Sequence, residues 1–159
     1  MIHVAIIHKR YLDAILAGEK TIEARLSKIR TEPFGRVKKG ERIYFKQSSG
    51  PFRATAVIRR VKSFDDLSPS RVRSMRREYN TGILGDTAFW TAKSRATCAT
   101  LMWLAKVELI DTGPDLSTVQ PRGSRRAWFV LTDEFDVYPT CAANCSVLPT
   151  LRPAEPARA

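Results

Sequence analysis

The residues best suited to chemistry lie in one short run, where a predicted helix gives way to a predicted strand. Gly18 is placed to end the helix and the strand begins at Thr21, so that Lys20 stands at the junction. Because side chains alternate along a strand, Glu23 and Arg25 project from the same face, about 7 Å apart. An ammonium, a carboxylate and a guanidinium at the mouth of a barrel could bind a nucleobase edge and a phosphate. They could also poise Lys20 as a general base if burial lowered its pKa, or form an ordinary surface ion pair.

Two motifs in this part of the chain resemble those of ASCH domains. The first is the Gly-x-Lys-Thr-x-Glu-x-Arg core that runs from Gly18 to Arg25. The second is a Gly-Asp/Glu turn that leads into an apolar strand, found here over residues 37–45. The resemblance covers residues 2–131 in architecture and is sharp over residues 15–62. It implies a PUA-like β-barrel with a cleft that bears the Lys/Glu/Arg motif and binds RNA or a nucleotide.

Some proteins that resemble this pattern are enzymes, which leaves a catalytic interpretation open. They are small amidohydrolases that remove the acetyl group from N4-acetylcytidine, and ribonucleases. In the amidohydrolases the motif lysine assists a threonine three residues later, whereas the residue three after Lys20 is Glu23. The covalent threonine mechanism is therefore not expected, although Thr21 lies nearby. An enzyme built on these residues would use Lys20 as general base or electrostatic catalyst, and Glu23 to orient water or the lysine.

A second cluster of residues is expected to complete the cleft. Residues 89–95 place two aromatic rings beside cations, just before a predicted strand. Stacking of a base on an aromatic side chain contributes about 1–3 kcal/mol, and nearby cations hold the phosphate. We expect Tyr44, Trp90 and Lys93 to form the cleft wall, the alternative being that the aromatic residues belong to the core. The full predicted binding set is Lys20, Thr21, Glu23, Arg25, Tyr44, Trp90 and Lys93.

Six strands and two helices are predicted to position these residues. The strands are expected over residues 2–7, 21–26, 43–45, 54–61, 99–110 and 127–131. One helix follows the first strand, and the other starts with Ser68 as its N-cap and Pro69 at its first position. This order favours the α+β class and a small, mostly antiparallel β-barrel with two or more inserted helices, in keeping with the PUA-like architecture. We expect one domain over residues 1–138 and a Pro/Ala-rich flexible tail over residues 139–159.

The charge of the chain points to a polyanion as partner. The net charge is +11, and residues 1–95 hold 21 Lys and Arg against 9 Asp and Glu, so the surplus lies in the part that carries the motif. No apolar run is long enough to cross a membrane. The three cysteines are irregularly spaced, which argues against a disulfide framework and favours a cytoplasmic protein. Two histidines and a Cys-x-x-x-Cys pair do not make a metal site, so neither a metal nor another cofactor is expected.

Three functions are compatible with the sequence. The first is an RNA- or nucleotide-binding domain in which Lys20, Glu23 and Arg25 recognise a base or modified base and the basic surface contacts phosphates. The second is a hydrolase that acts on RNA or a modified nucleoside through Lys20. The third is a protein-interaction domain that uses the arginines of the second helix, Arg73, Arg76 and Arg77, against an acidic partner. We rank them in this order.

Overall fold

The computed structural model describes residues 1–117, 119 and 125–132, which form one six-stranded sheet with three helices. The strands are β1 (Ile2–Ile7), β2 (Ile22–Ser27), β3 (Arg42–Gln47), β4 (Phe52–Phe64), β5 (Cys98–Leu109) and β6 (Trp128–Leu131). The helices are α1 (Lys9–Leu16), α2 (Pro69–Ile83) and α3 (Thr87–Lys93). Every predicted strand is present, within a few residues of its predicted bounds.

The order of the strands across the sheet is β2-β5-β4-β3-β1-β6. All neighbouring pairs are antiparallel except β1 and β3, which run parallel. Two register shifts interrupt the long pairing of β4 with β5, and such irregularities bend and twist a sheet. The predicted α+β class and mostly antiparallel order are confirmed. The sheet is a curled half-barrel, because its edge strands β2 and β6 are not hydrogen-bonded neighbours.

The two edges of the curled sheet nevertheless approach each other. The guanidinium of Arg25 on β2 lies 5.3 Å from the ring centroid of Trp128 on β6. Its Nη2 atom donates a hydrogen bond to the carbonyl oxygen of Ile6 on β1, at 3.3 Å. One arginine side chain therefore bridges the gap between β2 on one side and β1 and β6 on the other. We call this gap the seam.

Helix α1 brings the chain to the seam. Its apolar residues Leu12 and Ile15 are fully buried in the main core, as their helical spacing predicts. Gly18 has a φ of 77°, a backbone conformation that glycine adopts without a steric penalty. The N–H groups of Glu19 and Lys20 then both donate to the carbonyl oxygen of Ala14, at 3.0 Å. The chain thus turns sharply, and Lys20 is placed immediately before β2.

Helices α2 and α3 pack on β2 and β5 in a second core cluster. Ser68 caps α2 as predicted, since its hydroxyl accepts a hydrogen bond from the backbone N–H of Arg71 at 3.3 Å. Helix α3 is an addition to the two helices predicted. Its N-cap is Asp86, whose carboxylate accepts a hydrogen bond from the N–H of Phe89 at 2.7 Å. Seven residues are too few for an apolar period to show in the sequence, and only the capping residue signals this helix.

The predicted domain boundary at residue 138 and the predicted tail over residues 139–159 lie outside the described residues. Within the described part of the chain, none of the helices combines the length and the apolar character that a membrane span requires.

Candidate functional site

Lys20 lies buried at the seam, where two carbonyl oxygens and a carboxylate surround its ammonium group. The side chain is only 4% exposed. Its Nζ atom donates hydrogen bonds to two backbone carbonyl oxygens, that of Ile22 at 2.8 Å and that of Ile83 at 2.7 Å. The carboxylate of Glu23 forms an ion pair with it, with Oε2 3.6 Å from Nζ. The end of α2 and the start of β2 therefore fix the position of the lysine together.

Glu23 stands between two cations. Its Oε1 atom accepts a hydrogen bond from Nε of Arg25 at 2.9 Å, while Oε2 faces Lys20. The spacing along β2 predicts this pairing, and the structure shows both side chains on one face. Glu23 is 4% exposed, so the cluster is not the ordinary surface ion pair that the sequence left open. Arg25 is the outermost member, with 23% of its side chain exposed.

Burial lowers the pKa of Lys20 from the ordinary lysine value of 10.5. The physical cause is the loss of water around the ammonium group, which disfavours its charged form. Glu23 opposes this shift by attracting the charge, and Arg25 adds to it by repelling the charge. The cluster thus holds a lysine whose proton is less tightly bound than that of a surface lysine.

A cavity of about 240 Å³ opens beside this cluster at the seam. We call it the cleft. Two aromatic side chains line it, Tyr11 from α1 and Phe89 from α3. The Tyr11 ring centroid lies 5.2 Å from Nζ of Lys20, within the range of a cation–π contact. The cleft is smaller than the roughly 300–1,000 Å³ of pockets for drug-sized ligands, so it suits one compact group. Besides the aromatics and the charged cluster, it is lined by Ile6, Ile7, His8, Ala24, Ile83, Gly85 and Ala127.

The structure places two of the predicted wall residues away from the cleft. Trp90 is 4% exposed and packs in the core under α2, where its Nε1 atom donates to Oδ1 of Asn80 at 2.8 Å. Tyr44 is 9% exposed and makes an edge-to-face contact with Phe52 in a different core cluster. Thr21 is exposed immediately before β2 and does not line the cleft either. Both aromatic residues thus pack in core clusters, which is the alternative that the sequence left open.

Lys93 lies near the cluster but outside the cleft itself. Both Lys93 and Arg25 line a neighbouring cavity of about 260 Å³. Burial lowers the pKa of Lys93 from 10.5, and repulsion by the nearby Arg25 lowers it further. Of the predicted binding residues, the structure therefore brings together Lys20, Glu23, Arg25 and, next to them, Lys93.

Sequence reasoning missed Tyr11 and Phe89 as wall residues. Phe89 precedes Trp90 on α3, and successive residues of a helix point about 100° apart. Because the helix itself was not predicted, nothing in the sequence said which of the two adjacent rings faces the core. Tyr11 belongs to the apolar side of α1 and is only half-buried, which is a property of the assembled fold. The one feature of the sequence that places Tyr11 near the site is that it precedes Lys20 by nine residues, with the turn at Gly18 between them.

The described residues offer no evident metal centre. Among residues 1–117, 119 and 125–132, no group of three or more His, Cys, Asp and Glu side chains is arranged to hold an ion. Cys98 is a buried free thiol on β5. The other two cysteines, Cys141 and Cys145, lie outside the described residues.

Comparison with solved structures shows what this fold is similar to. A crystal structure of ASCH from Zymomonas mobilis superimposes with a TM-score of 0.62 at 16% sequence identity, covering 84% of this chain and 89% of that one. Structures of two single-residue variants of a Zymomonas mobilis ASCH protein each give a TM-score of 0.54 at 18% and 17% identity, over 69% of this chain. The aligned regions cover 70% and 75% of the chains of these two variants. No family model and no curated protein matches the sequence. The ASCH-type fold that the motifs indicate is thus confirmed.

Proposed function

We propose that this chain is an ASCH domain that binds single-stranded RNA or a nucleotide by taking one base into the cleft. The observation that carries the proposal is the buried Lys20–Glu23–Arg25 cluster at the wall of a cavity flanked by two aromatic rings. Burying the charges of Lys20 and Glu23 costs free energy, which a pair of apolar side chains would not. A cluster of this kind facing a cavity is the usual mark of a ligand site.

Arg25 has hydrogen-bonding capacity left for a ligand. A guanidinium carries five N–H groups, of which one is engaged by Glu23 and one by Ile6, leaving three. The Glu23 carboxylate likewise retains lone pairs beyond the two contacts it makes. A donor and an acceptor side by side match the polar edge of a base, while Tyr11 and Phe89 offer faces on which the ring can stack.

The test is a titration of a fluorescently labelled short single-stranded RNA, followed by anisotropy. Arg25→Gln removes the free donors of the cleft, and we expect it to weaken binding by about tenfold or more. The matched control is Arg73→Gln, which removes the same charge from an exposed position on α2. Equal losses in the two variants would show that charge alone drives binding, and would contradict a cleft that recognises a base.

A second candidate function, hydrolysis, rests on the protonation of Lys20. Burial lowers the pKa of this lysine, so that its proton is given up more readily than that of a surface lysine. A deprotonated Lys20 at the wall of the cleft would act as a general base. Incubation with RNA and with N4-acetylcytidine, followed by chromatography, tests this candidate. Product from the wild type but not from Lys20→Met supports it, and binding without any product contradicts it.

A further inference from the structure

Two further cavities adjoin the cleft at the seam, because each shares lining residues with it. The first, of about 260 Å³, shares Arg25 and Ala127 with the cleft and adds Lys93 and Phe34. The second, of about 420 Å³, shares Ile6, Ile7, His8 and Ala127 with the cleft. It is lined by Lys46, Ser48, Ser49, Arg125 and Arg126 as well. We call these the Lys93 cavity and the Lys46 cavity.

The Lys93 cavity contains one positive charge that no carboxylate among the described residues neutralises. Lys93 is half-buried and has no acidic partner within the described part of the chain, although it lies close enough to Arg25 to be repelled by it. Arg25 itself pairs with Glu23, and Glu32, the one carboxylate among the described residues that line the cavity, pairs with Arg126 at 3.9 Å. An unpaired ammonium beside a second cation in a partly buried space favours an anion there.

The Lys46 cavity, which adjoins the cleft along residues 6–8, is also lined by cationic groups. Nζ of Lys46 donates to the carbonyl oxygen of Gly50, which uses one of its three N–H groups. Arg125 contributes an exposed guanidinium, and Ser48 and Ser49 contribute hydroxyl groups. No carboxylate lines this cavity among the described residues. Ammonium, guanidinium and hydroxyl donors are the groups that proteins use to contact phosphate oxygens.

From this arrangement we infer that the ligand is an internal nucleotide of a single strand, with its base in the cleft and its two flanking phosphates in the Lys93 and Lys46 cavities. The inference rests on the proposed function, because it uses the cleft as the base site. A free nucleoside would occupy the cleft and leave both cavities empty. A base-paired strand would first have to flip its base out of the stack, which costs free energy and favours a single strand as the ligand.

The test is a length series at low salt, by calorimetry: cytidine, its 5′-monophosphate, and the di-, tri- and pentanucleotides of cytidine. We expect the affinity to rise by about tenfold or more from the nucleoside to the trinucleotide, and little beyond it. The logarithm of the trinucleotide's affinity should fall with the logarithm of salt concentration with a slope near −0.7 for each phosphate contacted. Lys93→Gln and Lys46→Gln should each reduce that slope by about 0.7. The charge-matched control Arg73→Gln should leave it unchanged.

The outcomes separate this inference from the function on which it rests. If cytidine binds as tightly as the trinucleotide, the strand is not the ligand, while the cleft remains a base site. If Lys93→Gln, Lys46→Gln and Arg73→Gln reduce the slope equally, the phosphates have no defined positions and the inference is overturned. If no member of the series binds while the labelled RNA of the anisotropy titration does, the inference is overturned and the proposed function stands, and if neither binds, both fail. The same series in deoxycytidine shows whether the sugar is recognised, and equal binding of both sugars supports a contact made through phosphates.

Discussion

Lys20 is the residue on which the arrangement of the site depends most. Its ammonium joins the carbonyl oxygens of Ile22 and Ile83 and faces Glu23, so it links β2 to the end of α2. Removing it would leave these acceptors buried without a donor. A buried group that loses its partner costs about 1–3 kcal/mol, and more when it is charged.

We therefore expect Lys20→Ala to lower the free energy of unfolding by about 3 kcal/mol or more, measured by urea denaturation. Lys9→Ala is the control, because Lys9 is 65% exposed and, among the described residues, pairs with Asp13 alone. Exposed pairs of this kind contribute about 0.3–0.5 kcal/mol. A loss from Lys20→Ala as small as that from Lys9→Ala would mean that the lysine does not connect the two elements.

Substitution of Arg25 can distinguish the contribution of its positive charge from that of its hydrogen-bonding geometry. Arg25→Lys keeps the positive charge but loses the planar fork that reaches Glu23 and Ile6 together. We expect it to weaken RNA binding by about tenfold while the salt dependence stays the same, both measured by anisotropy at several salt concentrations. Unchanged affinity in Arg25→Lys would show that only the charge matters.

The charged residues of the site could be predicted because their placement is local. Lys20, Glu23 and Arg25 lie within six residues, and the alternation of a strand is enough to put two of them on one face. The aromatic wall could not be predicted in the same way. Whether Tyr11 or Tyr44, and Phe89 or Trp90, reaches the cleft depends on how helices and strands from distant parts of the chain pack.

Among the secondary-structure elements, the connection between α2 and α3 determines where Phe89 lines the cleft. Asn80 near the end of α2 uses Oδ1 to accept two hydrogen bonds, from the N–H of Gly85 at 2.9 Å and from Nε1 of Trp90 at 2.8 Å. This amide therefore holds α3 against α2 and, through α3, places Phe89 at the cleft.

Asn80→Ala should leave both donors without an acceptor and loosen α3. We expect a loss of about 1–3 kcal/mol in the free energy of unfolding, together with weaker RNA binding. Asn80→Asp retains the acceptor oxygens and should recover most of both. If Asn80→Ala matched the wild type in stability and in binding, Asn80 would not be what positions Phe89 at the cleft.

The strands were easier to predict than their pairing. Alternating or continuous apolar runs mark each strand locally, and Ser68 and Pro69 mark the start of α2. The parallel pairing of β1 with β3, in which Val4 lies opposite Tyr44, joins segments forty residues apart. No local pattern encodes such a contact, and the seam exists only because of it. The seven-residue helix α3 is likewise below the length at which an apolar period becomes visible.

For the molecule as a whole, the buried histidine of β1 makes stability depend on pH. His3 is fully buried, with Nε2 2.8 Å from Oε2 of Glu41. Burial lowers the pKa of His3 from 6.5, although Glu41 opposes the shift. Below pH 6.5 the unfolded chain therefore binds a proton that the folded chain does not. The free energy of unfolding should fall as the pH is lowered through 6.5.

This prediction is checked by urea denaturation between about pH 7.5 and 5.5. His3→Gln does not titrate and should show a shallower decline than the wild type. His8→Gln replaces the exposed histidine beside α1 and should decline as the wild type does. Equal slopes in all three proteins would contradict the role given to His3.

The excess of positive charge is also a property of the whole molecule, and several surfaces carry it. One is the seam, with the cleft and its two neighbouring cavities. Another is α2, whose arginines at 71, 73, 76 and 77 are exposed. Basic residues at positions 36, 38, 39, 59 and 60 are exposed as well. Composition could predict that a polyanion binds, but only the fold shows that the buried charge cluster lies at the seam.

Two-dimensional amide NMR shows most directly where the base binds, because it reports which residues a short single-stranded RNA perturbs. We predict that the largest shifts fall on residues 6–8, 20–25 and 83–89, which surround the cleft. Shifts largest on residues 69–79 of α2, or spread evenly over the basic surface, would contradict the claim that the cleft is where the base binds.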